Sequence, residues 1–346
     1  MSYFGSDHLD RRWPLLTFLV ALALFLELAA GTGLAYLAGF THVRSTLLMF
    51  QWQWLPPILG ALIVSFVGYY YAYRGIFQVD GGPTLRRRYM RAVVAGGFGG
   101  FLAHGGGALD RYALEAAGAD KDEANVRVSG LAGLEHGVLA IGGCATAIVV
   151  LVTGVGSPPL DFTLPWAVLP IPGFLIAFWA ADRYRDRFAG QEGWRKRVRT
   201  FLDSIHIIKE MFIHPKPWGP AIAGMALFWA ADAFAAWAGM AAFGFRMNAA
   251  QMFVGFATGM VFTRRTGPLA GAGVLALVLP LTIWVSGAPF AVAIVGIFVY
   301  RVLALMLPMP VSLAALPTLR RMGSQRKPPA EGIADPQGEP SLRPST

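Results

Sequence analysis

Four ionisable side chains stand inside apolar runs of this sequence: Glu27, Glu135, Asp232 and Arg301. Charge at membrane depth is costly, so each is a functional candidate by default. Asp232 sits in FWAADAFAAW and Arg301 in IVGIFVYRVLAL, both far from a polar flank, whereas Glu135 lies near one end of its run. The simplest neutral arrangement pairs Arg301 with Asp232 or Glu135 inside a helix bundle. Asp232 is favoured because it shares the depth of Arg301. Such a pair is open to two readings, a structural ion pair or a substrate contact. Without it, the polar site loses its centre.

A second group is His104, Asp110 and Arg111, which flank Gly105, Gly106 and Gly107. A guanidinium beside glycines can hold a phosphate through side chain and backbone N–H groups together. The signal is weak, because the Gly-Lys-Ser/Thr of a phosphate loop is absent. His136 beside Glu135 suits proton transfer, although a His among glycines is more often a packed residue. The pairs Gly96/Gly100, Gly255/Gly259 and Gly267/Gly271 have the spacing that lets membrane helices approach closely, and packing is their default role. Enzymatic patterns are missing: no His/Glu/His zinc spacing, no Gly-x-Ser-x-Gly elbow and no carboxylate cluster for Mg²⁺. The expectation is a protein without catalytic residues, metal or cofactor.

The elements that must position these residues follow from composition. Of 346 residues, 55% are hydrophobic and 14% charged, and the mean hydropathy is +0.51. A soluble domain carries about 25% charged residues, so this chain cannot clothe a water-facing surface. The expected fold is all-α, a polytopic membrane helix bundle. The single Cys144 excludes an intrachain disulfide. The net charge of +9 does not point to nucleic acid, because the cations lie between apolar runs, where topology and anionic lipid account for them.

Eight runs reach or approach the roughly 20 residues of a span: Trp13–Gly39, Trp54–Phe77, Gly130–Gly154, Thr163–Ala181, Trp218–Phe243, Ala249–Thr263, Gly267–Ser286 and Pro289–Val311. Loops 40–53, 155–162, 244–248 and 287–288 hold only Arg44 and Arg246, whereas the other side carries Arg86-Arg87-Arg88 and the block from Arg183 to Lys216. The positive-inside rule then sets both termini in the cytoplasm. The domain reading is a cytoplasmic N-terminus over 1–12, a membrane domain over 13–321 and a disordered, Pro-rich tail over 322–346.

Two segments depart from simple spans. Residues 92–129 begin apolar and Gly-dense, continue polar and keep both ends inside, which predicts a re-entrant segment; a Gly-rich cytoplasmic loop is the plainer alternative. Residues 194–212 set Trp194, Val198, Phe201, Leu202, Ile205, Ile208, Met211 and Phe212 on one helix face and Arg195, Lys196, Arg197, Arg199 and Lys209 mostly on the other. That is a basic amphipathic helix for anionic lipid, or one packed on the cytoplasmic ends of the bundle, and the two readings do not exclude each other. No repeat of convincing length appears, although the Gly-rich stretches 96–107 and 267–273 are candidates for related halves.

These residues carry a resemblance. GGFGGFLAHGGGALDRYALEAAGADKDEANVRVSGLAGLEHGVLAI resembles the segment of lysylphosphatidylglycerol synthase/flippase transmembrane domains that runs from glycines through a polar linker to a Glu-bearing helix, with Glu135 at that Glu. TRRTGPLAGAGVLALVLPLTIWVSGAPFAVAIVGIFVYRVLALMLPMP looks like the family's second block, with Gly267, Gly271 and Gly273 at its glycines and Tyr300-Arg301 at its Tyr-Arg. The family's Glu three residues past the last glycine is Ala276 here. The chain has no room for the soluble aminoacyl-transfer domain, so the synthase reaction is not expected.

The resemblance implies a lipid or lipid-linked-precursor flippase-like transporter of a bacterial plasma membrane, not an enzyme. Its headgroup path would be lined by Arg301, Asp232, Glu135, Asp110, Arg111, His104, Gly271 and Gly273. Membrane lipids with anionic headgroups are the expected partners. The alternatives are a non-transporting lipid-binding or scaffold partner of envelope-synthesis enzymes such as glycosyltransferases, and an integral-membrane lipid transferase.

Overall fold

The computed structural model describes residues 13–98, 107–156, 159–188, 190–263 and 274–324, and every regular element among them is helical. Fourteen α-helices follow in chain order: α1 (Trp13–Ala38), α2 (Phe40–Leu47), α3 (Leu55–Gln78), α4 (Arg87–Phe98), α5 (Gly107–Ala116), α6 (Lys121–Thr153), α7 (Leu160–Val168), α8 (Pro170–Tyr184), α9 (Trp194–Ile213), α10 (Pro215–Ala241), α11 (Ala249–Thr263), α12 (Val274–Val285), α13 (Phe290–Met306) and α14 (Pro308–Ser324). Large apolar side chains cover the outside, among them Phe25, Leu37, Leu164, Ile176 and Leu313. Such a surface suits hydrocarbon rather than water. The chain is an all-helical bundle of the membrane type.

Among the described residues, five helical stretches are long and apolar enough to cross a membrane: Trp52–Gly81, Lys121–Thr153, Leu160–Phe188, Pro215–Ala241 and Phe290–Met322. They coincide with five of the eight expected runs. The other three correspond to shorter apolar helices, Phe25–Ala38, Ala249–Val261 and Val274–Val285. Helices α11 and α12 have 15 and 12 residues, or roughly 22 and 18 Å at 1.5 Å per residue, less than the roughly 30 Å of hydrocarbon. They lie antiparallel: a Cβ at Gly255 would meet Ser286 Oγ at 2.5 Å, and one at Gly259 would meet Leu279 Cδ1 at 2.5 Å. The sixth and seventh expected runs thus pack as a short antiparallel pair, and the small residues serve the close packing expected of them.

The same plan occurs earlier in the chain. Long α3 is followed by short α4, a Gly-rich stretch outside the described residues, short α5 and long α6. Long α10 is likewise followed by short α11, a Gly-rich stretch outside the described residues, short α12 and then α13. The leading helices of these two units pack on each other more extensively than any other pair. They cross at Gly68 and Gly224, where a Cβ on either would lie 2.5 or 2.6 Å from the carbonyl oxygen of the other. No residue larger than glycine fits either position without separating the helices. Helix α10 is the most buried of the five long helices, and the Leu160–Phe188 stretch is the least.

Three expectations change. The polar end of 92–129 is not part of a returning segment, because α6 starts at Lys121 and continues without a break through Thr153. Asp120 caps it, accepting from the backbone N–H groups of Asp122 and Glu123 at 2.8 Å each, so the helix starts nine residues before its apolar run. The tip of the preceding hairpin, residues 99–106, lies outside the described residues. The fourth run is two helices, α7 and α8, meeting at Leu169–Pro170, where proline cannot continue the first ladder. The last helix does not end near Val311. After Met306 the chain enters α14, which reaches Ser324 and packs on α4, with Ser312 Oγ donating to Ala95 O at 2.6 Å. The tail beyond Ser324 lies outside the described residues.

Helix α9 is packed on the bundle, which does not exclude its reading as a lipid-facing helix. Leu202, Ile205, Ile207, Ile208 and Met211 are buried against the bundle, and α9 lies on α6 and α8. Trp194 and Phe201 remain exposed beside Arg195, Arg197 and Arg199.

Candidate functional site

Arg301 faces the bundle, and its partner is Glu27, Nη2 to Oε1 at 2.8 Å. Neither Asp232 nor Glu135 pairs with it. The reason is helical phase. Consecutive residues on a helix point about 100° apart, so Tyr300 and Arg301 cannot address the same neighbour. Tyr300 is buried toward α10 and donates its hydroxyl to Asp232 Oδ2 at 2.8 Å. Arg301 is thereby turned to the α1 side, where Glu27 waits at matching depth. Eleven residues separate Glu27 from the end of α1 at Ala38, and eleven separate Arg301 from the start of α13 at Phe290. That match in depth was present in the sequence, but Asp232 shares it.

The pair lines a narrow cleft with room of about 10 Å³ between α1, α12 and α13, whose wall includes Gly31, Leu34, Ala276, Pro280 and Phe298. Ala276 therefore faces the same space as the Glu27 carboxylate.

A second polar zone lies on the other side of α10. Asp110 is buried in the first turn of α5 and accepts the Tyr73 hydroxyl at 3.0 Å. Glu135 is buried on α6, and its backbone carbonyl accepts the Trp229 indole N–H at 2.8 Å. Between Asp110 and Asp232 runs a chain of ring contacts through Tyr73, Tyr69, Phe228, Trp229, Phe256 and Tyr300. Three buried carboxylates from α5, α6 and α10 thus flank one aromatic wall. Tyr73 and Trp229 were not singled out by sequence reasoning, since aromatic residues on apolar helices usually signal packing alone.

Burial pushes the Asp110 carboxyl up to about 7 from its ordinary 3.8, and the nearby Glu135 carboxylate adds to the rise, while the Tyr73 hydrogen bond and Arg111 oppose it. Between these two values the folded state binds more protons than the unfolded state, so Asp110 makes stability fall as pH rises from about 4 to about 7. Asp110→Asn keeps an acceptor for Tyr73 and should flatten that part of the stability–pH curve. Thermal unfolding in detergent from pH 5 to 8 measures it; an unchanged slope in the variant would contradict this placement of the proton.

Other expected site residues separate. Arg111 points away from Asp110 and hydrogen-bonds Gly107 O and Asn125 Oδ1, each at 3.2 Å, so it does not form a phosphate cradle with its neighbour. His136 Nδ1 meets Ala132 O of its own helix at 2.7 Å, which supports a packed role over a relay with Glu135. His104, Gly271 and Gly273 lie outside the described residues. No group of three metal-binding side chains occurs among the described residues.

On the cytoplasmic side of the sequence-derived topology, Arg127 is the buried cation that sequence reasoning missed. Its Nη1 lies 3.2, 3.1 and 2.9 Å from the carbonyl oxygens of Ile76, Phe77 and Val79, and its Nε donates to Glu123 at 2.9 Å. The Ile76 and Phe77 carbonyls lie in the last turn of α3, where the helix offers no further N–H, and Val79 O just beyond it also accepts Gly82 N–H at 3.2 Å. One side chain of α6 thus caps α3, a role no local pattern advertises across some fifty residues.

No family model matches the chain, and no curated protein matches it.

Proposed function

We propose that this chain is a flippase-like transporter that moves the polar headgroup of a membrane lipid or lipid-linked precursor across a bacterial plasma membrane, similar to the transmembrane domain of lysylphosphatidylglycerol synthase/flippases. The observation that carries the reading is the repeated unit: a long helix, then a hairpin of two short helices with Gly-rich sequence between them, found twice around buried carboxylates. Paired short or interrupted helices at corresponding positions mark substrate sites in transporters. Asp110, Glu135 and Asp232 provide polar groups along a path that apolar helices alone would deny to a headgroup. Arg301 supplies the one cationic centre among the four intramembrane charges, and Arg111, His104, Gly271 and Gly273 belong to the path's flanks. Acyl chains would stay in lipid. The test is headgroup translocation by the purified protein in liposomes, with Arg301→Ala as the variant that removes the cationic centre.

This reading takes the five long helices together with α1, α11 and α12 as eight passes, α4 and α5 as a re-entrant hairpin and both termini as cytoplasmic. The Lys/Arg asymmetry of the short loops supports it. In a Cys144→Ala background, cysteines at Ser157 and Ser324 should react with an impermeant maleimide from opposite sides of the membrane. Reaction from one side would contradict the eight-pass arrangement.

A further inference from the structure

The Glu27–Arg301 pair uses little of what a guanidinium offers. Arginine presents five N–H donors in a planar fork suited to two oxygens of one anion. Here a single Nη2–Oε1 contact at 2.8 Å is made, and Nε is buried with no acceptor among the described residues. Phosphate oxygens could engage Nε and Nη2 side by side, which the Glu27 carboxylate in its present position does not. The helix that brings Glu27 also stands at the edge of the bundle. Helix α1 lies against α2, α12 and α13, but Phe25, Leu28, Tyr36 and Leu37 are exposed on it. Opposite Gly31, only the ring of Phe298 would come within 4 Å of an added Cβ, at 3.8 Å.

We propose that Arg301 is the binding group for the phosphate of an anionic phospholipid headgroup, that Glu27 is the internal anion occupying its place, and that α1 is a lateral gate. The gate opens when the lipid phosphate replaces the Glu27 carboxylate. As it stands the cleft is closed, since its room of about 10 Å³ is far below the roughly 300–1,000 Å³ of ordinary ligand sites. Movement of α1 away from α12 and α13 enlarges it. Withdrawing Glu27 alone would strand a cation in hydrocarbon, which costs at least several-fold in population, so opening is coupled to arrival of another anion. The remaining wall favours a lipid over free phosphate: Leu34, Pro280, Ile294, Ile297 and Phe298 are apolar and suit acyl chains entering from the bilayer. The gate rests on the flippase-like reading, but its binding site can be tested without transport.

The experiment titrates the purified full chain in neutral detergent with dioleoylphosphatidylglycerol, dioleoylphosphatidylcholine or inorganic phosphate, following bound lipid by native mass spectrometry and bound phosphate by radiolabel. Glu27→Gln removes the internal competitor and should raise phosphatidylglycerol affinity about tenfold or more. Glu27→Gln/Arg301→Gln should lose that gain, and phosphatidylcholine should not show it. No gain in Glu27→Gln, or a gain that survives loss of Arg301, overturns the proposal. A matching gain for inorganic phosphate overturns the lipid assignment. A Gly31→Cys/Phe298→Cys pair in the Cys144→Ala background tests the gate with Glu27 intact: its disulfide should block phosphatidylglycerol binding, and reductant should restore it. Binding undiminished by the disulfide overturns the gate. Glu27-dependent binding without translocation in liposomes would contradict the transporter and keep the site; translocation with no Glu27 effect would contradict the gate and keep the transporter.

Discussion

Replacing Arg127 with methionine should destabilise the protein by about 2 to 4 kcal/mol, since a buried carbonyl oxygen left without its donor costs about 1 to 3 kcal/mol. The side chain is buried, 6% exposed, and it serves two ends at once. On one side it supplies donors to the carbonyls of Ile76, Phe77 and Val79; on the other it holds Glu123 next to the Asp120 cap of α6. Methionine fills the volume but takes the donor from the Ile76 and Phe77 carbonyls, leaves Val79 O with Gly82 N–H alone, and deprives Glu123 of its cation. Arg127→Lys should recover part of the loss, because an ammonium on a flexible stem cannot reach both groups with the spread of a guanidinium. Unfolding in denaturant with the protein in detergent gives the difference. A change below about 1 kcal/mol would show that water replaces the cap.

Glu27→Ala should also be severe, costing about 2.5 to 5 kcal/mol, because Arg301 is left charged at membrane depth. Two further variants separate the charge from the packing. Glu27→Leu/Arg301→Leu removes both charges and should lie much nearer the wild type than either single change, as replacement of a whole buried pair generally does. Glu27→Ala/Ala276→Glu moves the acid to the opposite wall of the same cleft, and it should regain most of the stability lost in Glu27→Ala. Thermal unfolding in one detergent ranks all four proteins. If Ala276→Glu gives no recovery, the two positions do not serve one guanidinium.

Much of the architecture was legible because apolar length and charge placement are one-dimensional signals. The runs that became α3, α6, the α7–α8 stretch, α10 and α13 could be read directly. What could not be read was how short runs combine. Ala249–Thr263 and Gly267–Ser286 each approach the length of a pass, and only the contacts of Gly255 and Gly259 with α12 show that they pack as an antiparallel pair. Similarly, the apolar composition of 130–154 marked the membrane part of α6 but not its start, which depends on the Asp120 cap.

For the site, the sequence located the rare charges but not their pairing. Asp232 and Glu27 both match Arg301 in depth, and depth was the argument used. Helical phase decides between them: Tyr300 takes Asp232, and the next residue must look elsewhere. The Tyr73–Asp110 bond joins residues 37 apart on different helices, and nothing in either residue's neighbourhood announces it.

The transporter reading is tested most directly by headgroup translocation in liposomes carrying phosphatidylglycerol labelled on its headgroup, with a membrane-impermeant quencher added outside. Wild-type protein should make label from the inner leaflet accessible well above the rate of protein-free liposomes, and Arg301→Ala, inserted at the same density, should fall back at least about tenfold. Folded wild-type protein that leaves half of the label protected, as empty liposomes do, would contradict transport and favour a lipid-binding scaffold.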